Sequence, residues 1–455
     1  MAKENNVSVM RRINDKVTPV FGKIARERHI QAISGGLMAI VPFTLLAAIF
    51  NIIKTPPVTD SMIANGGFWA HIFGGWYNFA HKYNDILSVP SNMTMGMMSI
   101  IAVFAISYKL AESYKIKAFS ASLISFIMFL LVASPGIPAY LASQVNKGVD
   151  MSTLSTTTVL DTTYLGSVGL FVAIIVSLIS TEITRLCIQK KITIKMPDAV
   201  PAGVAESFSS VIPLLINCLI FYGASLIIQQ TAGLSIPAAI NKLIVPAIGN
   251  VNTPGGILLI ITLGNLMWLF GVHGPALFSM LYIPIMFQVY SQNLGIAEAG
   301  HAVAFQAIDM TQFSNPYFGL NLVLLFCVAS KQLKAIGKAS IVPGVFLINE
   351  PVIFGIPIMF NPFMVIPVLV IPVVTMGLSW ILGSAGWLTG GYNIIFAQLP
   401  IGLNAFLASM NVRNLIFAFI MYFVQFLIWL PFVKAYDKQL KIQELEREKS
   451  VETNA

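Results

Sequence analysis

The stretch Ile348-Asn349-Glu350-Pro351-Val352-Ile353-Phe354-Gly355 holds the one Asp, Glu, Lys or Arg found between Lys338 and Arg413. Everything around it is apolar enough to sit in a bilayer. A lone carboxylate at that depth is costly unless it faces a cavity or a partner, so Glu350 marks a functional site. Pro351 removes a backbone donor and disfavours helix for the residue before it, which predicts that an incoming helix stops near Asn349. Broken backbone in a membrane survives where it is packed in protein or lines a wet cavity. The segment therefore reads as a re-entrant hairpin carrying a carboxylate and an amide at its tip.

The rest of the chain supplies the membrane. Its 455 residues are 56% hydrophobic and 10% charged, with a mean hydropathy of +0.79, against about 25% charged for soluble proteins. The net charge of +8 sits in short clusters between apolar runs, which signals topology rather than nucleic-acid binding. Arg11, Arg12, Lys16, Lys23, Arg26 and Arg28 place the N-terminus inside. Residues 54–92, with Trp69, Trp76, His71 and His81, lie outside or in the interface. Lys109, Lys115 and Lys117 bring the chain back in, and a Ser/Thr-rich loop over 142–163 follows outside.

The cluster Arg185, Lys190, Lys191, Lys195 and the segment Met196-Pro197-Asp198-Ala199-Val200-Pro201 separate two halves. The expected division is a basic cytoplasmic segment over 1–30, an N-terminal membrane domain over 31–195, a C-terminal membrane domain over 196–435 and a charged cytoplasmic tail over 436–455. Apolar residues over 256–289 run to about twice one span, broken by Gly271-Val272-His273-Gly274-Pro275. Either two spans meet at His273 or a second hairpin dips in there. A further span is expected over about 320–329. The fold class is all-α: about ten transmembrane helices with a hairpin near 345–362 and, on the second alternative, another near 271–275, in the cell membrane, both termini cytoplasmic.

Cys187, Cys218 and Cys327 show no pairing pattern and read as small buried hydrophobes. Neither a metal-ligand spacing nor a Walker A sequence is present, so no cofactor or metal is expected, and energy comes from an ion gradient or another protein. His273, in a backbone break, is a second polar site residue. Trp268 is an interfacial anchor or a flat platform for a sugar ring.

Three segments together carry a resemblance: Gly271-Val272-His273-Gly274-Pro275, the run from Asn349 to Pro362, and the run from Met196 to Pro213. They resemble the membrane component, enzyme IIC, of the lactose/cellobiose family of the bacterial phosphoenolpyruvate-dependent sugar phosphotransferase system. The resemblance implies a homodimer in contact through its N-terminal spans, with the sugar held by the C-terminal spans. It implies that Glu350 and His273 are catalytic and that Asn349, His273, Glu350, Trp268 and Gln398 bind substrate. It also implies a separate phosphorylated enzyme IIB as partner, docking on the basic inner face, and a transport-coupled phosphotransfer to the 6-hydroxyl of a β-linked disaccharide. Cellobiose comes first, with lactose and diacetylchitobiose close behind. Two departures bear on the sugar. Many members of that family carry Trp-Thr-x-Pro where this chain reads Ala397-Gln398-Leu399-Pro400, and a glycine-rich turn where it reads Asn315-Pro316-Tyr317-Phe318-Gly319-Leu320. The rival from the residues alone is a proton-coupled secondary sugar transporter in which Glu350 and His273 carry the proton.

Overall fold

The computed structural model describes residues 27–56, 58, 63–64, 66–134, 136–139, 157–197, 199–269, 274–356, 361–395 and 399–453. In chain order, the helices of the first part are α1 (Arg28–Met38), α2 (Val41–Lys54), α3 (Phe68–Lys82), α4 (Asn84–Thr94), α5 (Met98–Ser113), α6 (Ala118–Ala133), α7 (Leu170–Gln189), α8 (Ala202–Ala232) and α9 (Ile236–Val251). They are followed by α10 (Pro254–Leu269), α11 (Gly274–Glu298), a 3-10 helix (Ala307–Phe313), α12 (Phe318–Phe326), α13 (Lys331–Val345), α14 (Glu350–Gly355), α15 (Pro362–Ser384), α16 (Leu403–Ser409) and α17 (Val412–Thr453). The all-α expectation needs one correction. Gly136–Ala139 and Thr157–Leu160 pair as a short antiparallel ladder, Gly136 opposite Leu160, because β-branched Thr157, Thr158 and Val159 suit a pleated edge.

Six helical segments among the described residues are long and apolar enough to cross a membrane: Arg28–Lys54, Asn84–Ser113, Ser167–Gln189, Gly203–Ala232, Phe363–Ser384 and Val412–Glu446. Ala118–Ala133 and Pro254–Leu269 are shorter apolar helices. The span expected over about 320–329 is instead the nine-residue α12, too short to cross at 1.5 Å per residue. The charged tail expected over 436–455 is, as far as Thr453, continuous with α17, which runs for 42 residues through Pro431.

By contact the described residues form two compact units, one within 27–47 and 89–248, the other within 48–88 and 249–455. In the first, α5 packs on α1, α6 and α7. Small and hydroxylated residues (Ser99, Ser107, Ser122, Ser125, Ser177, Ser180) let these helices approach closely, and all six are buried. The hydroxyls of Ser107, Ser122, Ser125 and Ser177 bond back to carbonyls three or four residues earlier. At one end, His29 bridges Glu27 and Glu182 at 2.7 and 3.1 Å, while Arg185 holds Glu182 at 2.6 Å. The Glu27 carboxyl lies outside the spans. Its pKa falls below the ordinary carboxylate value, because the His29 and Ile30 hydrogen bonds outweigh the burial that would raise it.

In the second unit the core contains Trp268, Tyr317, Leu320, Leu324, Val352, Ile353, Met364, Val368 and Trp429. Here α12 packs against α13 and α17, and α10 against α11 and α15. Residues 48–88, which overlap the stretch 54–92 expected outside or in the interface, supply Ile52 and Trp76 to a cluster with Val303, Tyr392 and Met410. Lys54 is buried there, its ammonium on Glu298 Oε1 at 2.5 Å and on Ser88 Oγ at 3.0 Å.

Candidate functional site

The second unit contains a cavity of about 380 Å³, within the about 300–1,000 Å³ of small-molecule sites. Its walls come from four places in the chain. From α10 come Ile260, Gly264, Asn265 and Trp268, and from α11 Phe278 and Tyr282. The turn after the 3-10 helix gives Ser314 to Tyr317, and the break between α13 and α14 gives Leu347, Asn349 and Ile353.

The break is built by local chemistry. Helix α13 ends at Val345, a few residues before the stop predicted near Asn349. The Ile348 N–H bonds to the Pro343 carbonyl and the Leu347 N–H to the Gly344 carbonyl, at 3.0 and 2.9 Å, which is a Schellman motif. That motif wants glycine at its left-handed position, yet Leu347 occupies it with φ +59°. Non-glycine residues there store strain of about 1–2 kcal/mol. The chain then restarts as α14 with Pro351 in its first turn, where a missing N–H costs nothing. The Asn349 carbonyl accepts the N–H groups of Val352 and Ile353 at 3.1 and 2.9 Å. Its side-chain Oδ1 is buried without a hydrogen-bond partner.

The opposite wall is pinned from a distance. Asn315 Oδ1 accepts the Tyr317 N–H at 3.0 Å, an Asx turn. From α17, Gln425 Nε2 donates to the Asn315 carbonyl at 2.8 Å and Trp429 Nε1 to the Pro316 carbonyl at 2.7 Å. Upstream, the fully buried Asp309 accepts the Gln306 and Gly391 N–H groups at 2.7 and 2.8 Å. Gln312 Nε2 donates to it at 3.3 Å and to Tyr290 Oη at 2.7 Å. Asp309 therefore ties the 3-10 helix, which leads into this wall, to α11 and to the segment at Gly391.

Of the residues expected from sequence, the structure brings Asn349 and Trp268 to one cavity. Trp268 is buried and meets Phe354 edge-on, centroids 6.1 Å apart, which is a core position rather than an interfacial one. Glu350 opens α14, next in the chain to Asn349; its side chain lies outside the described set. His273 and Gln398 also lie outside the described residues. The residue after His273, Gly274, starts α11, and a side chain there would collide with the Gly264 carbonyl in the cavity wall. The loop after Gln398 returns to the break, the Ile401 N–H bonding to the Val345 carbonyl at 2.8 Å. Sequence reasoning missed Asn265, Tyr282, Ser314 and Asp309, and marked Asn315 and Tyr317 as a departure from the family pattern without making them site residues. The Ser-Asn-Pro run at 314–316, a turn signal beside apolar residues, was the available clue.

A pocket lined by aromatic rings, amides and hydroxyls, with buried acceptors unmet by protein, suits a polyhydroxylated neutral ligand. Comparisons with known proteins agree. Residues 34–372 match the family described as Phosphotransferase system, EIIC. The chain is 32% identical to the PTS system cellobiose-specific EIIC component of Geobacillus stearothermophilus, over 96% of each chain. It is 27% identical to the PTS system lactose-specific EIICB component of Streptococcus mutans, over 96% of this chain and 74% of that one. In three dimensions it is similar to the crystal structure of the transporter ChbC, the IIC component from the N,N'-diacetylchitobiose-specific phosphotransferase system. That likeness has a TM-score of 0.82 at 32% identity and covers 95% of this chain and 99% of that one.

Proposed function

The chain belongs to the EIIC family of the phosphotransferase system, and on that premise we propose that it imports a β-linked disaccharide and presents the sugar's 6-hydroxyl to phosphorylated enzyme IIB. As a family member it is a multi-pass cell-membrane permease for cellobiose-type or lactose-type sugars. Cellobiose is the first choice, supported by the 32% identity to a cellobiose-specific component against 27% to a lactose-specific one. Diacetylchitobiose and lactose follow.

The observation that carries the reading is the cavity wall at 347–353, where Asn349 offers an unpartnered buried oxygen immediately before Glu350. Hydrogen bonds from such a wall fix the sugar with its 6-hydroxyl in line with phosphorus. Phosphoryl transfer asks mainly for that alignment and for charge stabilisation. The hydroxyl oxygen attacks, and the phosphorus–sulfur bond of the donor's phosphocysteine breaks with its electron pair leaving on sulfur. Glu350 takes the hydroxyl proton. His273 orients the hydroxyl, and Trp268 and Gln398 complete the sugar site. The product carries a charged phosphate and cannot recross the bilayer.

In the same proposal, residues 31–195 form the contact of a homodimer and residues 196–435 hold the sugar. The cavity residues, which lie between 260 and 353, support the second part. About ten crossings, the two hairpins and cytoplasmic termini complete it. The separate IIB protein docks on the basic cytoplasmic face.

The test is Glu350→Gln, assayed for sugar binding by calorimetry and for phosphorylation with phospho-IIB. Binding is expected within about tenfold of wild type, because the amide still accepts hydrogen bonds, with phosphorylation slowed at least about a hundredfold. Full turnover would remove Glu350 from the chemistry.

A further inference from the structure

Tyr317 sits at the end of the pinned turn. Its ring is 2% exposed and belongs to the core with Trp268, Leu320 and Trp429, and its N–H is taken by Asn315 Oδ1. Its hydroxyl is buried and has no hydrogen-bond partner, although the residue lines the cavity. A phenol has one donor and acceptor lone pairs. Left unmet in the interior, they make tyrosine less stable there than phenylalanine, which fills the same space without the polar atom. Asn349 Oδ1, in another part of the lining, is unmet in the same way. An apolar ligand would leave both atoms unsatisfied. A sugar satisfies both, one oxygen accepting from the phenol and one hydroxyl donating to the amide oxygen.

We propose that Tyr317 is a specificity-determining residue of this permease, its hydroxyl bonding one particular sugar hydroxyl when the cavity is filled. This rests on the reading of the cavity as the sugar site. The buried hydroxyl is then a cost in the empty protein that ligand binding removes. Discrimination follows, because a site built to bond a hydroxyl rejects analogues lacking it.

The experiment compares wild type with Tyr317→Phe, full chain in detergent, by thermal melting and by calorimetry. The ligands are cellobiose, lactose, diacetylchitobiose and a set of singly deoxygenated cellobioses. Without sugar, the variant is expected to melt about 2 °C above wild type, a curve that also reports its folding. It binds cellobiose roughly tenfold more weakly. One deoxy analogue, weak on wild type, binds the variant as well as cellobiose does, which a purely structural role could not produce. Cellobiose binding within twofold of wild type, or equal losses for every deoxy analogue on both proteins, would overturn the inference alone. If none of the three disaccharides binds wild type, the sugar reading fails and the assignment of Tyr317 falls with it.

Discussion

Replacing Asp309 by Asn tests how the cavity wall is held. One carboxylate oxygen accepts the Gln306 N–H at 2.7 Å; the other accepts the Gly391 N–H at 2.8 Å and Gln312 Nε2 at 3.3 Å. Backbone N–H groups only donate, so the site requires two acceptor oxygens. An asparagine has one. Whichever way the amide turns, its NH2 faces a backbone N–H in a region closed to water, which orphans one buried donor at about 1–3 kcal/mol. The bonds that remain lose their charge assistance, adding about 1 kcal/mol. The sum, about 2–4 kcal/mol, corresponds to a melting temperature lower by about 5–12 °C, read by tryptophan fluorescence in detergent. The 3-10 helix leads directly into Ser314 to Tyr317, so a loosened wall also weakens sugar binding. A melting shift below about 1 °C with unchanged sugar affinity would refute both the anchoring role and the reasoning from donors and acceptors.

Three further perturbations follow from contacts on other walls. Gly344→Ala puts a Cβ onto the buried Asn321 side chain; the expected loss is about 1–3 kcal/mol, visible as a lower melting temperature. The Lys54–Glu298 pair is asymmetric, with Lys54 4% and Glu298 39% exposed at the side chain. Glu298→Gln, which strands a buried ammonium, should therefore destabilise more than Lys54→Met, by about 2 kcal/mol in paired melts. Asp437, buried, accepts the Ala329 and Ser330 N–H groups at 2.8–3.0 Å, whereas the half-buried Glu444 accepts from Ser330 Oγ and the Gln332 N–H at the same helix end. Asp437→Asn should accordingly cost about 1–2 kcal/mol and Glu444→Gln no more than about 0.5.

The sequence made the breaks in the apolar pattern legible, because Pro and Gly act on backbone geometry where they stand. Pro351 stands in the first turn of α14, after the gap that follows α13, whereas the break expected around His273 falls on residues outside the described set; Asn349 and Trp268 both line the cavity. The opposite wall was not legible. It exists because Gln425 and Trp429 reach the 315–316 carbonyls from more than 100 residues away, and hydropathy carries no record of such pairings. Lys54 read as part of an outer stretch because its partner, Glu298, lies 244 residues further on. Asp309 escaped notice because no local motif announces a carboxylate satisfied by backbone N–H groups. The strand pair was hidden because 136–139 precede the Ser/Thr-rich loop expected over 142–163 and 157–160 lie inside it, so no local pattern joins the two strands.

The central claim is transport coupled to phosphorylation. Purified protein in vesicles loaded with phosphorylated enzyme IIB, given labelled cellobiose outside, tests it most directly. The account predicts internal sugar 6-phosphate, absent when the donor is omitted. Unmodified internal sugar that follows an imposed pH gradient would contradict it and make the protein a proton-coupled carrier.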